Sequence, residues 1–173
     1  MEQKEYEKLI QKTLVVYQPD ALQRGIVGEL LQRFERVGLK IVGVKMLEPN
    51  VDHYHYHYEE ISKMITRRGQ EAYEDLVKFM TSGPVIAMVL EGVEAIEVTR
   101  KIVGATEPKT ADMGTIRGDY SHVSLGYTNS KRIGAANLIH ASGNLEEAEQ
   151  EIKHWFKEGE LYDYKLLTEK YSR

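Results

Sequence analysis

Apolar positions along the chain change period several times, and each change marks an element. Thr13 to Tyr17 (TLVVY) is a continuous, β-branched run stopped by Pro19, which reads as a buried strand entering a turn. From Gly25 the spacing becomes helical: Ile26, Leu30, Leu31 and Phe34 share one face, Glu29 and Arg33 pair on the other, and Gly38 suits the stop. Leu39 to Met46 alternates as a second strand and completes a β-α-β unit. Helical spacing returns over Glu71 to Met80 through Tyr73, Leu76, Val77 and Met80, until Ser82-Gly83-Pro84 breaks it. Val85 to Leu90 (VIAMVL) is uninterrupted apolar sequence, as a central strand requires, and Glu94 to Val103 is a further helix ending at Gly104. Asn137 to His140 predicts a last strand. Asn144-Leu145-Glu146-Glu147 then starts a helix with an Asn cap, its apolar face formed by Leu145, Ala148, Ile152 and Trp155 or Phe156.

Two stretches lack a clean period. Pro49 to Arg68 is polar and irregular and holds the alternation His53-Tyr54-His55-Tyr56-His57-Tyr58 ahead of a helical segment. Gly104 to Ala136 is a long run rich in Thr, Gly, Pro and Asp, and structureless loops of that length tend to be functional. With no repeat or linker, the pattern predicts a single domain over residues 1–173. Its class is α+β, most economically a ferredoxin-like β-α-β-β-α-β sandwich: an antiparallel sheet with helices on one face, plus insertions.

Composition narrows the partners. A formal net charge of -4 argues against broad nucleic-acid coating, which needs a basic face, so any anionic ligand must be met by a local cluster of donors. The absence of cysteine removes disulfides, thiol nucleophiles and cysteine metal sites, and it is compatible with a reducing cytosol. Neither a signal-peptide pattern at the start nor a bilayer-length apolar run is present, so a cytoplasmic protein without membrane or nucleic-acid partners is expected.

His140 stands where the last strand gives way to Ala141, Ser142 and Gly143, a place where its ring can meet open space. A neutral imidazole accepts a phosphoryl group if its other nitrogen is held, and Glu151, two turns into the following helix, is the candidate holder. The competing description is a packed or surface histidine. Arg100 and Arg117, with Thr106 between them, supply two guanidinium forks and a hydroxyl suited to polyphosphate; taken alone they equally describe a solvated helix residue and a loop-tethering salt bridge. Gly104, Gly114 and Gly118 form no Walker loop. The histidines at 53, 55 and 57 share one face only if that segment is extended, the condition for a transition-metal site there.

Three segments now carry a resemblance. Tyr17-Gln18-Pro19-Asp20-Ala21-Leu22-Gln23-Arg24-Gly25, Gly114-Thr115-Ile116-Arg117-Gly118-Asp119 and Asn137-Leu138-Ile139-His140-Ala141-Ser142 resemble the signature segments of nucleoside diphosphate kinases, in the family's order. The similarity runs from about Thr13 to Tyr164. It implies transfer of a terminal phosphoryl group from a nucleoside triphosphate to a diphosphate through phosphorylated His140, with Mg²⁺ held mainly by the nucleotide phosphates. It further implies Arg100, Thr106 and Arg117 as phosphate contacts, Asn137 as the ribose contact, Leu76 in the nucleotide site, Glu151 as the carboxylate orienting the histidine, and a tetrameric or hexameric homo-oligomer. Gln18 departs from the family's lysine before Pro-Asp. Glutamine keeps N-H donors and loses the charge, so the resemblance implies either a slowed kinase or a nucleotide-binding or regulatory protein on the same fold. The family's site tyrosine is best matched by Tyr54, with Tyr56 and Tyr58 as alternatives, and its base-stacking aromatic falls on Ala72. Lys131 and Arg132, in the expansion from Ser121 to Ala136, are candidates to replace the missing charge.

Overall fold

The computed structural model describes residues 6–172; residues 1–5, part of the opening segment read above for a leader, and residue 173 lie outside the described residues. Strands β1 (Ile10–Tyr17), β2 (Lys40–Leu47), β3 (Val85–Val93) and β4 (Ile139–Ala141) form one sheet in the order β2-β3-β1-β4, with every neighbouring pair antiparallel. Helices follow in chain order: α1 (Pro19–Gln23), α2 (Val27–Glu35), α3 (Val51–His55), α4 (Met64–Arg68), α5 (Gln70–Met80), α6 (Ala95–Val103), α7 (Ile116–Tyr120), α8 (Leu125–Lys131) and α9 (Leu145–Trp155). The crossovers α2 and α6 give the ferredoxin-like plan that the hydrophobic periods predict.

The period-2 geometry of a strand explains the uninterrupted apolar runs. Leu14 and Val16 of β1 enter one core, while Val15 and Tyr17 enter another; in β3, Ala87 and Val89 part from Met88 and Leu90 in the same way. The second of these cores holds Leu30 and Phe34 of α2 with Ala95 and Val103 of α6, the two crossover helices on one face. On the opposite face the additions form the cover: Tyr73, Leu76, Val77 and Met80 of α5, Trp155 of α9, and Tyr54 and Tyr58. The insertions are therefore structural as well as local decoration.

Both irregular stretches are more ordered than their composition suggests. Asn50 caps α3 by accepting the His53 N-H at 2.9 Å, and the chain continues as a π-helical segment over Tyr56–Ile61. The alternating histidines are thus helical, and the extended condition for a metal site there is not met. On a helix His55 parts from the other two and meets the Tyr73 hydroxyl at 2.9 Å, while His53 and His57 both turn toward Trp155, His53 stacking on His154 and His57 buried. The 104–136 stretch holds a 3-10 turn, α7 and α8, the two helices capped by Thr115 and Ser124. Among the described residues no helix is long and apolar enough to cross a membrane.

Candidate active site

The sheet brings together the ends of β1 and β4, which pair through Tyr17 and Ile139. Past Tyr17 the chain turns at Gln18-Pro19, with Pro19 at the first position of α1, where its missing N-H costs nothing. On the β4 side, Leu138 takes a positive φ of 74°, and the Ile139 N-H donates to the Asn137 carbonyl at 2.9 Å, a three-residue turn. Such a conformation persists only when its surroundings over-determine it. They do: the Gln18 N-H donates to the Leu138 carbonyl at 2.9 Å, the Leu138 N-H to Asp20 Oδ2 at 3.2 Å, and the Asn137 N-H to Gln18 Oε1 at 3.3 Å. The turn shortens β4, so Asn137 and Leu138, placed in the strand by the sequence, lie ahead of it, and His140 is fixed at its centre.

Arg117 braces the same turn. Its guanidinium donates to the carbonyls of Asn137 at 3.2 Å, Gly104 at 3.1 Å and Ile139. Burial and then Arg100 push it down to about 10, which leaves it cationic near neutral pH. The close approach needs two glycines: a Cβ at Gly104 would stand 2.4 Å from Thr115 Oγ1, and one at Gly118 would stand 2.1 Å from the Asp112 carbonyl oxygen.

His140 is held from behind. Glu151, fully buried on α9, accepts from His140 Nε2 at 2.9 Å, while its other oxygen accepts the Ser142 hydroxyl at 2.6 Å. Ser142 is itself tied to β1, accepting the Leu14 N-H at 3.1 Å. Burial alone would raise the Glu151 carboxyl; His140, then His57 and Ser142, outweigh it and bring it down to about 2. An ionised carboxylate only accepts, so the bonded Nε2 carries the proton and Nδ1 carries the lone pair. Among the described residues Nδ1 has no hydrogen-bond partner, and the His140 side chain lines an open cavity of about 470 Å³.

Gln18, Arg100, Thr106, Arg117 and Asn137 all line that cavity with His140, and Leu76 lies on its wall. The Arg100 side chain is exposed and forms no ion pair or hydrogen bond among the described residues. Asn137 donates to the Thr106 carbonyl at 2.8 Å. Two sequence expectations are corrected here. Tyr54 is buried in the core, its hydroxyl without a partner among the described residues, whereas Tyr58 lines the cavity with its ring centroid 6.4 Å from that of His140. The two rings stack at 6.0 Å as an i, i+4 pair, and Tyr58 is the one nearer the histidine. Lys131 and Arg132 do not line the cavity: Arg132 Nε donates to Asp75 Oδ1 at 2.8 Å and its guanidinium also pairs with Glu71. Arg67 and Arg68 of α4 line it instead, and the adjacent basic pair before Gly69 was the available signal for them. Ser142 closes the third signature segment with no role implied for it there, and His57, beside the histidine, escapes a reading by motif. His57, His140 and Glu151 bring potential metal-ligand atoms within 4.8 Å of one another, but Trp155 already donates to His57 Nδ1 at 3.1 Å, and both Glu151 oxygens are taken.

A ferredoxin-like fold with a carboxylate-held histidine facing arginines that form no ion pair among the described residues defines a class: proteins equipped to bind phosphate and accept it. Within that class the chain belongs to the nucleoside diphosphate kinase family, whose model matches residues 11–161. It is 47% identical to the nucleoside diphosphate kinase of Borreliella burgdorferi over 91% of this chain and 93% of that one, and 45% identical to that of Pyrococcus furiosus over 90% and 88%. Among solved structures it is similar to a transition-state mimic of the Borrelia burgdorferi enzyme with vanadate and ADP, with a TM-score of 0.90 and 46% identity over 94% and 96% of the two chains. The Halobacterium salinarum enzyme in complex with CDP is similar at a TM-score of 0.79 and 38% identity, covering 92% and 96%.

Proposed function

We propose that the chain moves the terminal phosphoryl group of a nucleoside triphosphate onto a nucleoside diphosphate through His140 Nδ1. The observation that carries this reading is the Glu151 bond to Nε2, which leaves the nucleophilic lone pair on the nitrogen available to an arginine-lined cavity. In the first half-reaction the lone pair attacks the γ-phosphorus and the bond to the bridging oxygen breaks, so the diphosphate leaves with that electron pair. A second diphosphate then attacks the phosphohistidine with a terminal oxygen, and Nδ1 recovers its pair. Arg100, Thr106 and Arg117 hold phosphates, Asn137 the ribose, and the apolar wall at Leu76 the base side, in keeping with catalysis by positioning and charge neutralisation.

Mg²⁺ belongs to this reading as the ion that neutralises phosphate charge when bound. The cavity's lining residues include one carboxylate, Glu147, and its Oε2 accepts the Gly143 N-H at 3.1 Å. A hard cation here is therefore supplied with oxygen ligands by the nucleotide and water rather than by a protein cage. Self-association and a cytoplasmic location complete the proposal. Support for the first comes from β2, an edge strand that exposes Val44 and Met46, and light scattering measures the assembly against a tetramer or hexamer. The lack of cysteine supports the second.

The test is transfer of labelled γ-phosphate from ATP with Mg²⁺ to the protein and then to GDP. Acid-labile label that GDP discharges and His140→Ala abolishes is the expected result; nucleotide binding with no label would leave a binding protein. Gln18→Lys measured alongside is expected to raise the rate by up to roughly 100-fold, the scale of one preorganised donor. Lysine cannot accept the Asn137 N-H as Gln18 does, so part of that gain is lost to a looser turn.

A further inference from the structure

His57 is buried against the phosphoryl acceptor and takes no part in the chemistry above. Its ring stands edge-on to that of His140, with centroids 4.6 Å apart and planes at 80°. Its Nδ1 accepts the indole N-H of Trp155 at 3.1 Å and lies 3.9 Å from Glu151 Oε1, the same oxygen that accepts from His140. Its Nε2 is buried without a partner among the described residues.

Proton counting makes the arrangement a competition. An indole N-H can only donate, so His57 Nδ1 must present a lone pair, and the proton of the neutral ring sits on Nε2. The other tautomer, with its proton on Nδ1, would be a second donor beside Glu151 Oε1. Once the ring closed the 3.9 Å gap to hydrogen-bond distance, that oxygen would be shared between two histidines, and the hold on His140 Nε2 would weaken. A weakened hold lets His140 place its own proton on Nδ1, where no lone pair remains for phosphorus.

We propose that the Trp155–His57 pair is a positioning device for His140: by donating to His57 Nδ1, Trp155 keeps that ring in the tautomer unable to donate to Glu151, and so reserves Glu151 Oε1 for the phosphoryl acceptor. The inference deepens the kinase reading and rests on it, since it concerns which nitrogen of His140 is free. Other groups around His57 do not supply the restraint. His140 and Glu151 are the competing pair, Tyr58 packs its ring at 4.6 Å, and His53 and His154 act only through charge.

The first test is the ¹⁵N spectrum of the histidine rings of the wild-type chain near pH 7. His57 and His140 are both expected as neutral rings protonated on Nε2; an Nδ1-protonated His57 would overturn the proposal whether or not the protein is a kinase. The second is the rate of labelling by ATP. Trp155→Phe frees His57 Nδ1 and is expected to slow labelling about tenfold, within the range that misplacing a reacting group costs. Adding His57→Phe removes the competitor while keeping a ring against His140. The double variant should therefore label at least about fivefold faster than Trp155→Phe alone, a sign of coupling that independent packing losses do not produce. A double variant as slow as Trp155→Phe, or slower, overturns the proposal. Absence of label on the wild type would instead defeat the kinase reading and leave the tautomer result standing.

Discussion

The two ends of the cavity are built differently. At the inner end, His140, Asn137 and Gln18 sit on or beside paired strands, and the side chains of Glu151, Ser142, Asp20 and Arg117 are each fixed by hydrogen bonds to other elements. The outer wall comes from α4, α8 and their flanks, short helices bounded by left-handed residues: Lys63 at φ 51°, Gly69 at 90°, Arg132 at 55° and Gly134 at 73°. Bonds between elements are concentrated where bonds to phosphorus would form and break, whereas the wall where a base would lie is made of short, separate helices. Changes at the inner end should therefore act on the chemical step by orders of magnitude, and changes at the outer wall on nucleotide affinity by small factors.

Glu151→Gln offers the sharpest break of that contrast. The amide keeps the size of the carboxylate, but its NH₂ can face His140 Nε2 and accept nothing, which moves the ring proton to Nδ1. Single-turnover labelling should fall by roughly 100- to 10,000-fold, the range that proton positioning supplies, with little change in nucleotide affinity. If affinity collapsed and the rate at saturation survived, Glu151 would be serving the binding site rather than the nucleophile.

How much of this was legible in the sequence follows the same division. Helices α5 and α6 begin within one residue of where the apolar spacing places them, because a buried face enforces its period. Six of the seven nucleotide contacts implied by the resemblance line the cavity; Tyr54 is the exception. Alternating His and Tyr carry no phase, and only the π-helical turn decides that Tyr58 faces the site while Tyr54 faces the core. The positive φ of Leu138 has no signature at a leucine, since it is imposed by Gln18, Asp20 and Arg117 from distant segments. Nor could spacing reveal the Trp155–His57 bond, which joins two residues 98 positions apart.

Acid stability sharpens the comparison at intermediate size. His57 is lowered to about 3 by burial and then by His140, so the fold favours its neutral form. The unfolded chain takes up that proton near the ordinary histidine value, about pH 6.5. Stability from this group is thus complete above that pH and declines as pH falls toward 3, with a limiting slope of roughly 1.4 kcal/mol per pH unit for each full proton. His53, lowered to about 4 by burial and His154, adds the same sign. Glu151 acts in a lower window, its contribution being lost from the ordinary carboxylate range down to about 2. Chemical denaturation of His57→Phe between pH 6.5 and 4 should give a shallower decline than the wild type; equal slopes would show that His57 does not carry the effect.

The smallest effect is expected at the outer wall. Arg132 joins α8 to α5 through Asp75 and Glu71, and Gly134 lies close enough to Phe79 that a Cβ there would stand 2.5 Å from its Cβ. The arginine is half exposed, so solvent screens the pair, and its work is to limit the freedom of a segment that lines the cavity through Leu125, Asn129 and Ala135. Arg132→Ala should raise the KM for nucleotide about two- to fivefold and leave kcat within about twofold, since the reacting groups are held elsewhere. A fall in kcat comparable to that of Glu151→Gln would mean that the wall positions the phosphates after all, and the division between the two ends of the cavity would not hold.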